Sequence, residues 1–204
     1  MADPPSKPPP KSSAHPPSEI GRLSVQYPGG LAARYRWAGS GRADEVFAIS
    51  ESTGTLTDYG SLAADPYESL CRAELRVEGP GGSWTARFAS VVFDEPQGVL
   101  WDTHGLLLVK YGFRLYALNG RSGELAWSYA SGTPTLAILA SSRLDHVVLQ
   151  SELETFALRP DGEVAWRAAH DDVITDAQLI AGQLDLTTYS GQHLVLDARS
   201  GQTA

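Results

Sequence analysis

The sequence predicts an all-β fold: a β-propeller-like array of four to five four-stranded antiparallel blades. Three observations predict it. Turn glycines Gly123, Gly162 and Gly201 are spaced by 39 and 39 residues, and Trp127 and Trp166 are also 39 apart. Around them the chain repeats itself, as YALNGRSGELAW at Tyr116–Trp127, FALRPDGEVAW at Phe156–Trp166 and LVLDARSGQT at Leu194–Thr203. Upstream of each copy lie two further short β-like runs. Four strands in about 40 residues is the size of one propeller blade.

The repeat unit follows from local chemistry. An apolar strand ends in a polar pair, and Ser-Gly or Asp-Gly closes a turn in which Gly supplies a positive φ. A second strand then begins at once, as in ELAW and EVAW. The upstream runs are Val99–Trp101 with Leu106–Tyr111, Thr135–Ala140 with His146–Gln150, and Asp176–Ala181 with Leu184–Tyr189. Their β-branched and aromatic residues, bounded by Gly, Asp, Ser or Pro, read as strands. Stacking such sheets around an axis buries both faces of each. Two earlier stretches read as weaker copies: Phe47–Leu56 with Gly54 as turn glycine, and Leu75–Trp84 with Gly82. Asp65–Arg76 is the best helix candidate, with Pro66 after Asp65 near a helix start.

Residues 1–18 have a different composition from the rest. Seven of the thirteen prolines sit there, and no aliphatic residue larger than Ala follows Met1. Such a segment cannot bury apolar area and is expected to be a polyproline-like tail. Its P-x-x-P at Pro5–Pro8 could dock an aromatic groove, or the tail could act as a spacer. The expected organisation is this tail followed by one repeat domain over 19–204.

Composition narrows the function classes. The net charge is −8 and no basic stripe with interleaved aromatics occurs, so nucleic acid is not an expected partner. Cys71 is the single cysteine, which excludes an intrachain disulfide. A small buried hydrophobe is its simplest role. No apolar run approaches a membrane span and no apolar leader core is present, so a cytoplasmic location without membrane contact is expected.

The hairpin motif resembles the repeat of the pyrroloquinoline-quinone-type (PQQ-like) β-propeller family, approximately A-x-D-x-x-T-G-x-x-x-W. Ala117, Asn119, Ser122, Gly123 and Trp127 fall on its positions, with Asn for Asp and Ser for Thr. Ala157, Gly162 and Trp166 repeat it with one residue fewer in the turn, and Asp197, Ser200 and Gly201 match in the last copy. Ala48, Thr53 and Gly54 match early. The resemblance implies that Trp127 and Trp166 pack between neighbouring blades. The family's dehydrogenases carry a quinone, a Ca²⁺ ion and a vicinal cysteine pair. None of those functional residues is matched here, so the resemblance points to short non-enzymatic members and no cofactor is expected.

Candidate chemistry is sparse. His170-Asp171-Asp172 could hold a metal or work as acid and base, but the run equally suits a solvated loop between blades. No nucleophile elbow, phosphate-binding loop or zinc spacing occurs. The expected function is a non-catalytic interaction or scaffold module with a protein partner. The alternatives are a small-ligand or metal sensor at the His170–Asp172 loop, and a cofactor-binding enzyme with an axial site. The latter would need uncompensated polar residues converging from the innermost strands. For closure, the sequence suggests that Leu31–Trp37 pairs with Leu194–Asp197, Trp37 standing in for a missing Trp. The rival is an open arc that closes as a homodimer.

Overall fold

A computed structural model describes residues 20–47, 54–62 and 70–203. The expected tail at 1–18 lies outside them. The described chain is nearly all β, with one five-residue helix, α1 (Ala43–Phe47). No helix among the described residues is long and apolar enough to cross a membrane.

Four sheets follow one another along the chain, antiparallel except for one edge strand of the first. The first contains β1 (Gly21–Tyr27), β2 (Leu31–Ala38), β3 (Thr55–Asp58), β4 (Cys71–Gly79) and β5 (Gly82–Ser90), in the order β1-β2-β4-β5-β3. The second holds β6 (Gln97–Trp101), β7 (Leu106–Tyr111), β8 (Arg114–Asn119) and β9 (Leu125–Ala130) in sequence order. The third repeats this with β10 (Thr135–Leu139), β11 (Val147–Ser151), β12 (Glu154–Leu158) and β13 (Val164–Ala169). The fourth has three described strands, β14 (Ile174–Ile180), β15 (Gln183–Thr188) and β16 (His193–Asp197). A single bridge, Leu196 to Thr203, adds to its outer edge. This is the β-propeller-like architecture that the repeat predicts, in four sheets.

Alternation builds the core between sheets. In the first sheet Ala33, Tyr35, Ala73, Leu75, Val77, Trp84 and Phe88 turn to one side and pack on Leu107, Val109, Tyr116 and Leu118 of the second. The second sheet's other face carries Leu108, Leu115 and Ala117 against Ile138, Leu149 and Phe156 of the third. The third presents Val148 and Trp166 to Ile174, Leu184, Leu186 and Leu196 of the fourth. Each inner sheet is therefore apolar on both faces, as strands buried on both sides must be. Among the described residues, none of these three clusters joins the first sheet to the fourth.

Three sequence readings need correction. Cys71–Arg76 is part of β4, not a helix, while residues 65–69 lie outside the described set. The period of two was present in the sequence, with Ala73, Leu75 and Val77 turned inward and Arg72, Glu74 and Arg76 on the other face. The described part of the Gly54 copy departs from the expected hairpin pattern. Residues 48–53 are not described, and β3 runs parallel to β5 at the sheet's edge. Finally, Leu31–Trp37 does not meet Leu194–Asp197. Strand β2 is paired along one side with β1 and along the other with β4, so it has no free edge to offer.

Candidate functional site: the sheet junctions and the acidic end face

The turn glycines form a latch between successive sheets. Gly123 (φ +75°), Gly162 (φ +87°) and Gly201 (φ +70°) each lie in the left-handed region. A Cβ there would sit 2.5 Å from Trp84, 2.8 Å from Trp127 and 2.3 Å from Trp166 respectively. Each Trp thus lies flat on the turn glycine of the following sheet, which only a residue without a side chain permits. The Gly123 and Gly201 turns are alike in detail, while the Gly162 turn is one residue shorter. Asn119 Oδ1 accepts the Arg121 and Ser122 amides, and Asp197 Oδ1 accepts those of Arg199 and Ser200. These are Asx turns, in which the side chain pre-forms the bend.

The indoles also bond across the junction. Trp84 Nε1 donates to Gly120 O at 3.2 Å, and Trp127 Nε1 donates to Pro160 O at 2.7 Å. Trp166 Nε1 is buried without a hydrogen-bond partner. The corresponding carbonyl, Ala198 O, is taken instead by His146 Nε2 at 2.8 Å. Trp84 was the member that sequence spacing obscured, since it precedes Trp127 by 43 residues and not 39. Gly82, the turn glycine that the repeat predicts there, occupies instead the open tip of the β4–β5 hairpin (φ +115°) with nothing near it. Gly54 (φ +108°) instead abuts the Ser83 carbonyl.

His170, Asp171 and Asp172 do come together, lining a groove of about 300 Å³ between the ends of β13 and β16. Two of the three are engaged structurally. Thr155 donates to Gln150 Oε1 at 2.7 Å, so its hydroxyl accepts from His170 Nε2, also at 2.7 Å. Burial lowers the His170 pKa, which favours this neutral ring. Asp172 accepts the Val173 and Ser190 amides at 2.8 and 3.0 Å, and the Ser190 contacts hold its carboxyl down at about 2. Among the described residues, no group of three or more His, Cys, Asp or Glu side chains is placed to hold a metal ion.

An axial site finds little to build on. A groove of about 570 Å³ borders β1 and β6, with Lys110 at its base. Lys110 Nζ is ion-paired with Asp94 at 2.8 Å and also donates to Glu95 O and Thr135 O. Gln97 bonds the Ile138 amide and carbonyl, lengthening the contact between second and third sheets. The polar groups of these inner positions are therefore compensated within the protein.

The fourth sheet's outer face is built differently from the faces that the preceding sheets turn toward their successors. The pairing register places Asp176 of β14, Asp185 of β15 and His193, Val195 and Asp197 of β16 on the side opposite the Leu184–Leu186–Leu196 core. Where the second and third sheets carry Leu on both sides, this sheet carries three carboxylates and one imidazole. His193 Nδ1 lies 3.7 Å from Asp185. The Ser200 hydroxyl and amide lower the Asp197 pKa, so it stays charged. Ile180 is exposed on the same face.

No family model matches the sequence, and neither does any curated protein. Solved structures share the fold. The chain is similar to BamB from Moraxella catarrhalis at 14% identity and a TM-score of 0.50, covering 91% of this chain and 66% of that one. It is also similar to a protein of unknown function from Bacteroides caccae at 10% identity, covering 92% and 67%, with a TM-score of 0.48. BBS1N, crystallised in complex with ARL6DN, aligns at 13% identity, 91% and 50% coverage and a TM-score of 0.45. The chain thus spans from half to about two thirds of the length of these structures. What the first likeness shows is the β-propeller-type fold.

Proposed function

We propose that this protein is a non-catalytic β-propeller-type interaction module that binds a basic protein surface through the outer face of its fourth sheet. One observation carries the reading: Asp176 and Asp185 stand on a sheet face whose counterparts in the preceding sheets are apolar and buried. A field of carboxylates on a rigid sheet attracts and orients a cationic surface. The compensated Lys110–Asp94 pair and the engaged His170–Asp172 loop support this reading over an axial cofactor or a metal sensor.

The test is a comparative capture from the cells that make the protein. The bait is wild type, an Asp176→Lys/Asp185→Lys variant, or a control carrying Asp102→Lys/Glu163→Lys at exposed sites elsewhere. Partners held by wild type and by the control are expected to be lost from the Asp176/Asp185 variant. Partners retained equally by all three would place the binding surface elsewhere.

A further inference from the structure

A groove of about 410 Å³ opens between the first and second sheets, at the end where their hairpins turn. Four tips build it: Pro28–Gly30 between β1 and β2, residues 80–81 between β4 and β5, residues 102–105 between β6 and β7, and residues 120–121 after β8. Its frame is fixed from two sides. Gly120 N donates to Gly105 O at 2.8 Å, joining the two tips of the second sheet. Trp84 Nε1 donates to Gly120 O at 3.2 Å, tying the first sheet to them.

Six of the twelve described lining residues are glycine, so main chain forms much of the wall. A Cβ on Gly29 or Gly82 would meet nothing within 4 Å, which leaves room for a ligand's own backbone to come close. Leu31, Leu100, Pro28 and Pro80 supply apolar surface. Ligand sites combine such walls with a small number of polar groups that fix orientation.

Two charged groups supply that orientation here. Asp102 and Arg121 both line the groove, and neither side chain bonds to the other or to any described residue. The arginines of the following turns are engaged. Arg159 ion-pairs with Glu163 at 3.8 Å, and Arg199, at the position of Arg121 in the last turn, donates to Arg143 O at 3.1 Å. Of these three turn arginines, Arg121 is the one whose guanidinium is unused. A simple anion at Arg121 would be repelled by Asp102, and a simple cation at Asp102 by Arg121. A ligand with both charges, held apart on an apolar body, satisfies both.

We propose that this groove binds a short apolar peptide with free ends, its carboxylate on Arg121 and its ammonium on Asp102. The planar fork of Arg121 matches a carboxylate with two parallel hydrogen bonds. The glycine main chain offers donors and acceptors to the peptide's amides. The site needs only the first two sheets, and it stands or falls independently of the acidic face of the fourth.

Saturation-transfer NMR and calorimetry on the full chain test this, with trialanine, trivaline and trileucine as probes. Saturable binding is expected, tighter for trivaline or trileucine than for trialanine. Arg121→Ala should weaken it about ten-fold or more, with Arg121→Lys intermediate, and Asp102→Asn should weaken it several-fold. Arg159→Ala, on the neighbouring turn, should bind as wild type does. Acetylating the amino end or amidating the carboxyl end should each weaken binding about ten-fold. These blocked peptides also stand for the chain ends of a longer protein, which present one charge only. Circular dichroism shows that each variant is folded, and the blocked peptides need no variant. Absence of saturable binding by every probe at about 1 mM overturns the proposal. So does equal binding by the blocked peptides or by folded Arg121→Ala.

Discussion

Trp127→Ala is expected to destabilise the protein by about 3–5 kcal/mol, as truncation of a packed aromatic does. The indole lies on Gly162 of the next sheet, packs against the cluster joining the second and third sheets, and donates to Pro160 O. Its loss opens a void that the third sheet cannot refill, because Gly162 brings no side chain. Trp127→Phe separates the components. It keeps most of the ring contact and removes the 2.7 Å hydrogen bond, so a smaller loss of about 1 kcal/mol is expected. Urea unfolding followed by circular dichroism measures both. A loss below about 1 kcal/mol for Trp127→Ala would show that the latch does not hold the sheets together.

Asp94→Ala should cost a comparable amount, for an electrostatic reason. Lys110 and Asp94 are both largely shielded from water, at 6% and 17% side-chain exposure, with Nζ 2.8 Å from Oδ1. Asp94 Oδ2 additionally accepts the Gly112 amide at 2.7 Å. Removing the carboxylate strands a buried ammonium with two backbone carbonyls, and breaking a buried pair in this way costs about 3–5 kcal/mol. Replacing both partners, as Asp94→Ala/Lys110→Met, removes the unpaired charge. Much of the lost stability is expected to return in the double variant. Equal stability of Asp94→Ala and wild type in urea would show that solvent reaches Lys110 freely.

The parts of this fold that were legible in the sequence are those that local chemistry dictates. The Asx turn at Asn119 and Asp197, the positive φ of Gly123, Gly162 and Gly201, and the Trp four residues after Gly123 and Gly162 are all set within one hairpin. They recur at a fixed spacing because each sheet must present the same latch to the next. The first sheet escaped this logic. Its Trp84 is off the period, its hairpin tip at Gly82 has no Trp to accommodate, and its edge is lengthened by the parallel β3. Leu31–Trp37 looked like a free closing strand, but β1 and β4 had already claimed both of its edges.

The acidic face was illegible for a different reason. Asp176, Asp185 and Asp197 are scattered singly along three strands. Only the pairing register assembles them on one surface. The His170-Asp171-Asp172 run, by contrast, is conspicuous in sequence. The structure spends His170 on Thr155 and Asp172 on the Val173 and Ser190 amides.

Carboxylate footprinting of the protein in its bound state is the most direct measurement of the central claim, that the outer face of the fourth sheet is the binding surface. Asp176 and Asp185 are expected to label readily in the free chain and to be protected in the complex, while Asp102 and Glu163 label equally in both. Unchanged labelling of Asp176 and Asp185 on binding, with protection at another surface, would contradict it.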